Sequence, residues 1–167
     1  LDQLLYKYPN IKFIENPAYN EANNISSAMC VRYLLNNAYV CEGDILLHNP
    51  KIIQKYQYQS NYCGIKCDRT DDWCLFENKG RITGYAVGGE NCHQMMGISY
   101  WTEEDGRKLG DCIKKVYEMP GGKERYWDQV ALGYYVEDFD ISIRECSFDD
   151  FIEIDTFNEL KAIDKSY

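Results

Sequence analysis

The sequence predicts a three-layer α/β domain built on a mixed sheet. Helix and strand signatures alternate through the first third of the chain, and four strand-like runs then follow one another between Asn61 and Trp101. Size agrees with this reading: 167 residues at 45% hydrophobic content suffice for one substantial core and are too few for two. No internal repeat, low-complexity tract or Ser/Gly-rich linker interrupts the chain, so residues 1–167 read as a single domain.

The elements follow from local chemistry. Apolar residues at helical spacing, Leu1, Leu4, Leu5 and Tyr8, precede Pro9-Asn10 and a short predicted strand, Ile11 to Glu15. After a turn at Pro17 to Asn20, Ile25 to Leu35 reads as a helix with Asn23 or Asn24 as its cap. A strand from Ala38 to Leu47 comes next, and Asn49-Pro50 supplies the cap and first-turn proline of a short helix ending near Tyr56. Asn61 to Asp68, Trp73 to Glu77, Arg81 to Val87 and Met95 to Trp101 read as strands, two of them joined by a hairpin at Asn78-Lys79-Gly80. Thr102 to Asp105 resembles a capping box opening a helix to about Met119, which Pro120-Gly121-Gly122 stops. Tyr126 to Tyr135 reads as helical, Asp140 to Cys146 and Phe151 to Ile154 as short strands, and Thr156 to Glu159 as the capping box of a last helix.

Charge and composition exclude several classes. Eighteen basic against 27 acidic residues give a net charge of −9, which opposes nonspecific binding to nucleic-acid backbones or anionic membranes. An anionic ligand would need a cation to accompany it. No stretch has the length of a membrane span and no signal pattern opens the chain, so membrane insertion is not expected and the location is expected to be cytoplasmic. Eight cysteines with no CxxC pair among them read as reduced, mostly buried thiols. The chain starts at Leu1 in what looks like the middle of an element, and an upstream segment is expected to be missing.

Three features could carry chemistry. In "YVCEGDILL", Glu42-Gly43-Asp44 interrupts an apolar strand. Asp44 either starts a turn or caps the next helix, or it sits at a strand end to hold a divalent cation, which would remove the cost of an unpaired carboxylate beside apolar residues. In "FDDFIEIDTF", Glu153 and Asp155 alternate with Ile152 and Ile154 and so share one strand face. Asp155 also precedes a capping box, where an Asp is ordinary. Two carboxylates brought together repel, and with only hard oxygen ligands on offer Mg²⁺ is the natural occupant. The third feature is aromatic: Trp73 follows Asp71-Asp72, Trp101 follows Tyr100, and Trp127 lies between Tyr126 and Asp128. These rings are either core packing or, beside carboxylates, the surroundings that a quaternary ammonium group requires. His48 and His93 read as structural, and Gly88-Gly89 and Gly121-Gly122 as turns.

The stretches "NPAYNEANNISSAMCVRYLLNNAYVCEGDILL", "DDWCLFENKGRITGY", "GISYW", "RYWDQV" and "IEIDTFNEL", in that order, resemble bacterial choline-phosphate cytidylyltransferases of the sugar-phosphate nucleotidyltransferase superfamily. The resemblance covers nearly the whole chain. It implies a Rossmann-like nucleotide-diphospho-sugar transferase fold and attack of phosphocholine on the α-phosphorus of CTP, giving CDP-choline and pyrophosphate. It implies that Asp44 and Asp155 are catalytic and hold Mg²⁺, that Asn23 and Asn24 contact the base, and that Glu42 lies near the ribose. Trp73, Tyr126 and Asp128 would enclose the choline head group, with Trp127 as their neighbour.

The family's opening strand, Gly-rich loop with Arg, and following Lys have no match here. The expectation is therefore a nucleotidyltransferase domain lacking its first strand-loop-helix region, with little activity by itself and with sheet surface open to self-association or another chain. Two alternatives stand beside this. One is a related enzyme taking aminoethylphosphonate or a sugar phosphate, with the aromatic residues as packing. The other is a noncatalytic choline-binding or interaction module.

Overall fold

Two long strands organise the chain. In the computed structural model, which describes residues 2–166, the four predicted strands between Asn61 and Trp101 are fused into β3 (Asn61–Asn78) and β4 (Arg81–Trp101). The turn between them has Lys79 at φ 54° and Gly80 at φ 81°, the left-handed pair that a tight two-residue hairpin needs. The polar stretches read as breaks are bulges. Register slips between Thr70 and Trp73 opposite Gly88, whose φ of +77° puts the Gly88-Gly89 pair inside β4 rather than in a turn.

The ribbon also curls. Cys74 and Leu75 pair with Ala86 and Tyr85 and again with Gln94 and His93, so the outer half of the hairpin folds back over β4. β1 (Ala38–Cys41) joins β4 antiparallel and β5 (Ser142–Glu145) joins β3 parallel, giving a four-stranded mixed sheet in the order β1-β4-β3-β5. A separate antiparallel pair is formed by β2 (Ile45–Leu47) and β6 (Phe151–Glu153).

Strand alternation splits the core in two. Tyr62 and Trp101 face a cluster with Ile25 of α2 (Ile25–Val31), Leu109, Ile113 and Val116 of α3 (Glu103–Glu118), and Phe139. Cys63, Ile65, Met96 and Ile98 face the other way, onto Ile52 and Phe151 beside the small sheet. Helices, main sheet and small sheet thus form the expected three layers. Each fully buried aliphatic of α3 contributes about 2 kcal/mol by leaving water.

Local signals explain the helix boundaries. Thr102 caps α3 by accepting from Asp105 N–H, but the box closes through Ser60: its hydroxyl donates to the Asp105 carboxylate and accepts from Thr102 N–H. Three acidic residues in the first turn of α3 suit the helix dipole. Thr156 and Glu159 form the complete capping box of α4 (Phe157–Ile163).

Several expectations are corrected. The predicted first helix forms as α1 (Asp2–Lys7), with Leu4, Leu5 and Tyr8 exposed, and Leu1 lies outside the described residues. Residues 11–15 form no strand, because no strand runs alongside to accept their backbone bonds, and Ile11, Phe13 and Ile14 stay exposed. The second helix ends at Val31 and tightens to a 3-10 turn over Arg32–Leu34. Its N-cap, Asn24, makes no side-chain cap bond. The short helix after Asn49 is a 3-10 turn ending at Ile52, with Asn49 capping through Lys51 N–H. Residues 126–135 hold a π-helical turn, Val130–Tyr134.

Gly106 and Gly110 let α3 approach the chain after α2: a Cβ would fall 2.3 Å from the Leu35 carbonyl oxygen and 2.5 Å from that of Arg32. Gly→Ala inside a helix ordinarily gains about 1 kcal/mol. At Gly106 the collision with backbone reverses the sign, and Gly106→Ala is expected to lower stability by about 1–3 kcal/mol in urea unfolding. A stabilised variant would show that the helix moves away freely.

Candidate functional site

The predicted strand 38–47 is not continuous. β1 and β2 belong to different sheets, and Glu42-Gly43-Asp44 is the crossing between them. Glu42 N–H donates to the Gly97 carbonyl at 2.9 Å, the last rung against β4. The Asp44 carbonyl accepts from Ile154 N–H at 2.9 Å, the first contact with the β6 side. Ile45 stands opposite Glu153, so the pairing sets Glu153 beside Asp44. Asp150 secures that register: its carbonyl accepts from His48 and Asn49 N–H, and its carboxylate accepts from the Asn49 amide at 2.6 Å.

The result is a group of three carboxylates. Glu42, Asp44 and Glu153 each offer an oxygen, and these oxygens lie within 4.8 Å of one another. Gly97 makes room, since a Cβ there would lie 2.1 Å from a Glu42 carboxylate oxygen. Asp155 is two residues beyond Glu153, past the end of β6, and its N–H donates to Glu159. Asp155 falls outside the three-carboxylate group but close enough for its charge to act on Glu153.

Two cavities meet at this group. The larger, about 570 Å³, is lined by apolar residues of α2 and β1 and by Asn16, Asn24, Glu42, Asp44 and Trp127. Asn16 is held by donating to Ser26 and Ser27. The smaller, about 170 Å³, is lined by Glu42, Asp72, Trp73, Met95, Tyr126, Asp128 and Glu153, among others. Asn24, Glu42 and Tyr126 belong to both walls. In the smaller cavity Trp73 stacks on Tyr85 and meets Tyr126 edge-on, each at 5.3 Å between centroids. The curl of the β3-β4 ribbon is what carries Trp73 to this place.

The remaining predicted residues have definite positions. Asn23 bonds to the 123–124 turn through Lys123 and Glu124 carbonyls and lines neither cavity. Asn24 holds the N-cap position without a side-chain cap bond; its side-chain oxygen accepts from Trp127 N–H at 2.9 Å instead. Trp127 is a core residue, its ring facing Tyr62 and Trp101, and it touches the larger cavity rather than the smaller. Trp101 is fully in the core. Asp128 is buried and accepts from the Tyr62 hydroxyl at 2.6 Å.

Sequence reasoning marked Glu153 only as the strand-face partner of Asp155 and Asp72 only as a carboxylate beside Trp73, and it gave Tyr85 no role. The alternation in "IEID" carried the signal for Glu153; nothing local marks Tyr85. His48 and His93 line neither cavity.

Electrostatics follow from crowding. Burial, then the charges of Asp128, Asp44 and Asp72, push the Glu42 carboxyl up to about 7. Burial pushes Asp128 up to about 6, against the opposing hydrogen bond from Tyr62. Glu153 is raised by burial and then by Asp155, Asp44 and Glu42. A divalent cation bound among these oxygens would relieve the repulsion, and three hard oxygen donors suit Mg²⁺ or a similar ion.

No family model matches the chain. It is 30% identical over 165 residues to the 2-aminoethylphosphonate cytidylyltransferase of Lancefieldella rimae, spanning 96% of this chain and 67% of that protein. The chain belongs to the cytidylyltransferases. It is 24% identical to the choline-phosphate cytidylyltransferase of Haemophilus influenzae over 96% of this chain and 70% of that one. The structure of the CTP:phosphocholine cytidylyltransferase from Streptococcus pneumoniae superposes with a TM-score of 0.85 at 23% identity, over 99% of this chain and 72% of that one, which shows the nucleotidyltransferase fold. Cytidylyltransferase membership makes this a nucleotide-binding enzyme fold, and among the described residues no helix is long and apolar enough to cross a membrane.

The raised carboxyls set a pH dependence. Their folded values lie above the unfolded ones, so protonation favours the fold: this contribution is complete below about pH 4 and is lost as pH rises through about 6 for Asp128 and about 7 for Glu42. Without divalent ions, a Glu42→Gln/Asp128→Asn variant is therefore expected to gain roughly 5 °C or more in melting temperature over the parent between pH 4.5 and 7.5. A constant difference across that range would contradict the assignment.

Proposed function

We propose that the chain carries the site for cytidylyl transfer from CTP to phosphocholine, with Mg²⁺ held at the β1-β2 crossing. The observation that carries this reading is the meeting of two unlike cavities at one carboxylate group, the larger apolar with amide side chains and the smaller aromatic and acidic. Asp44, the ligand that the resemblance implies, stands in the three-carboxylate group, which supports this reading. Glu42 and Glu153 complete the group, and Asp155 adds its charge from beyond the end of β6. Bound Mg²⁺ would supply neutralisation and orientation of the nucleotide's phosphate oxygens.

The chain's own residues do the positioning. Asn24 and the apolar wall of the larger cavity receive the cytidine. Trp73 and Tyr126 present π-faces to a trimethylammonium group, which has no N–H to donate, and Asp128 adds negative charge. The head group so held would direct the acceptor phosphate toward the wall that both cavities share, where the α-phosphorus must lie for attack. No Lys or Arg lines either cavity among the described residues, so CTP binding is expected to depend steeply on the metal. The eight free cysteines accord with a reducing, cytoplasmic setting.

A second acceptor, 2-aminoethylphosphonate, is favoured by the 30% identical relative of that name. Its primary ammonium wants acceptors more than rings. In an intact parent enzyme, Trp73→Ala and Tyr126→Ala are each expected to raise the phosphocholine KM about tenfold while leaving the CTP KM within about twofold. Equal effects on both substrates would remove the cage. Asp44→Asn is expected to weaken Mn²⁺ binding, followed by paramagnetic relaxation, at least about tenfold, with smaller losses for Glu153→Gln and Asp155→Asn. Unchanged affinity in Asp44→Asn would end the metal assignment.

A further inference from the structure

Four carboxylates border the smaller cavity, and three already have other work. Glu42 and Glu153 belong to the proposed metal group. Asp128 is buried and bound to the Tyr62 hydroxyl. Asp72 is the fourth, and it is held in place with some care. The bulge between Thr70 and Trp73 releases it from the ladder. One of its oxygens accepts from Trp73 N–H at 2.7 Å, and the other accepts from the Gln94 amide at 3.3 Å. Gln94 is in turn oriented by the Thr70 hydroxyl, which donates to its Oε1 at 3.2 Å and accepts from Asp72 N–H.

These bonds fix a side chain that would otherwise be free on an exposed strand, and they fix it beside the ring of Trp73. Gln94 reaches it only because the ribbon curls back over β4. Each carboxylate oxygen keeps a lone-pair direction, and the negative charge stays uncommitted to a metal or a buried partner. A rigid anion next to a π-face is the pairing that distinguishes a cation from an uncharged group of the same shape.

We propose that Asp72 is a specificity-determining residue that selects an acceptor with a positively charged head group, with Gln94 as the residue that positions it. This rests on the phosphocholine reading above and adds to it a second, more exposed source of charge discrimination beside the buried Asp128. The rings favour a trimethylammonium over a neutral tert-butyl group through cation–π attraction, and the fixed carboxylate widens that preference.

The test is a pair of titrations followed by tryptophan fluorescence, with phosphocholine and with its uncharged carbon isostere, 3,3-dimethylbutyl phosphate. The unmodified protein is expected to prefer phosphocholine by about tenfold or more. In Asp72→Asn that preference should fall about fivefold, through weaker phosphocholine binding with the isostere held within about twofold. Gln94→Leu should give a smaller fall, absent when made in the Asp72→Asn background. Equal weakening of both ligands in Asp72→Asn would mean that the residue only supports the bulge and would overturn the proposal, as would an unchanged preference. Failure of the unmodified protein to bind phosphocholine at all would instead sink the cage reading beneath it, and this proposal with it.

Discussion

The crossing from one sheet to the other at Glu42-Gly43-Asp44 is the constraint on which the site depends. On one side β1 is locked to β4, with Glu42 N–H bonded to Gly97; on the other β2 is locked to β6, with the Asp44 carbonyl bonded to Ile154 N–H. Glu42 and Asp44 each make one of these bonds, on opposite sides of Gly43. Their carboxylates are pressed toward Glu153 although like charges oppose it, and the raised Glu42 and Glu153 carboxyls record that opposition. Two hydrophobic clusters on opposite faces of the main sheet hold the sheets in register and so oppose the repulsion.

A second constraint is the curl of the long hairpin. A flat ribbon would hold Trp73 far from Gly97 and Glu42. Because β3 pairs twice with β4, Trp73 and Asp72 come to lie over the middle of β4, facing Tyr126 from the segment that leads into the π-helical turn. The bulges that permit this curl are where the alternation of the strands fails, at Thr70 to Trp73 and at Gly88. The head-group cavity and the metal group thus share Glu42, and any shift of the hairpin moves both.

What was legible in the sequence is local. Thr156 and Glu159 form the box their spacing announces, Thr102 caps α3, and Asn78-Lys79-Gly80 turns the hairpin, since each of these depends only on groups within a few residues. Reading failed where a distant partner decides. Ile11 to Glu15 has strand composition and no strand beside it. Asn24 has cap chemistry, yet its oxygen is taken by Trp127 N–H from 103 residues away. Trp127 lies between Tyr126 and Asp128, but its ring is turned into the core while Tyr126 remains at the cavity.

The sequence by itself determined the α/β class, the capped helices, the hairpin turn, and the acidic interruption in an apolar strand that marks Asp44, because side-chain periodicity and capping act over a few residues. Only the tertiary structure decided that Glu153 and Glu42 stand with Asp44, that Asp72 and Tyr85 join Trp73, and that the two cavities touch. Those neighbours are set by strand register and by the curl of a ribbon, and pairing across tens of residues leaves no mark in any short window of the chain.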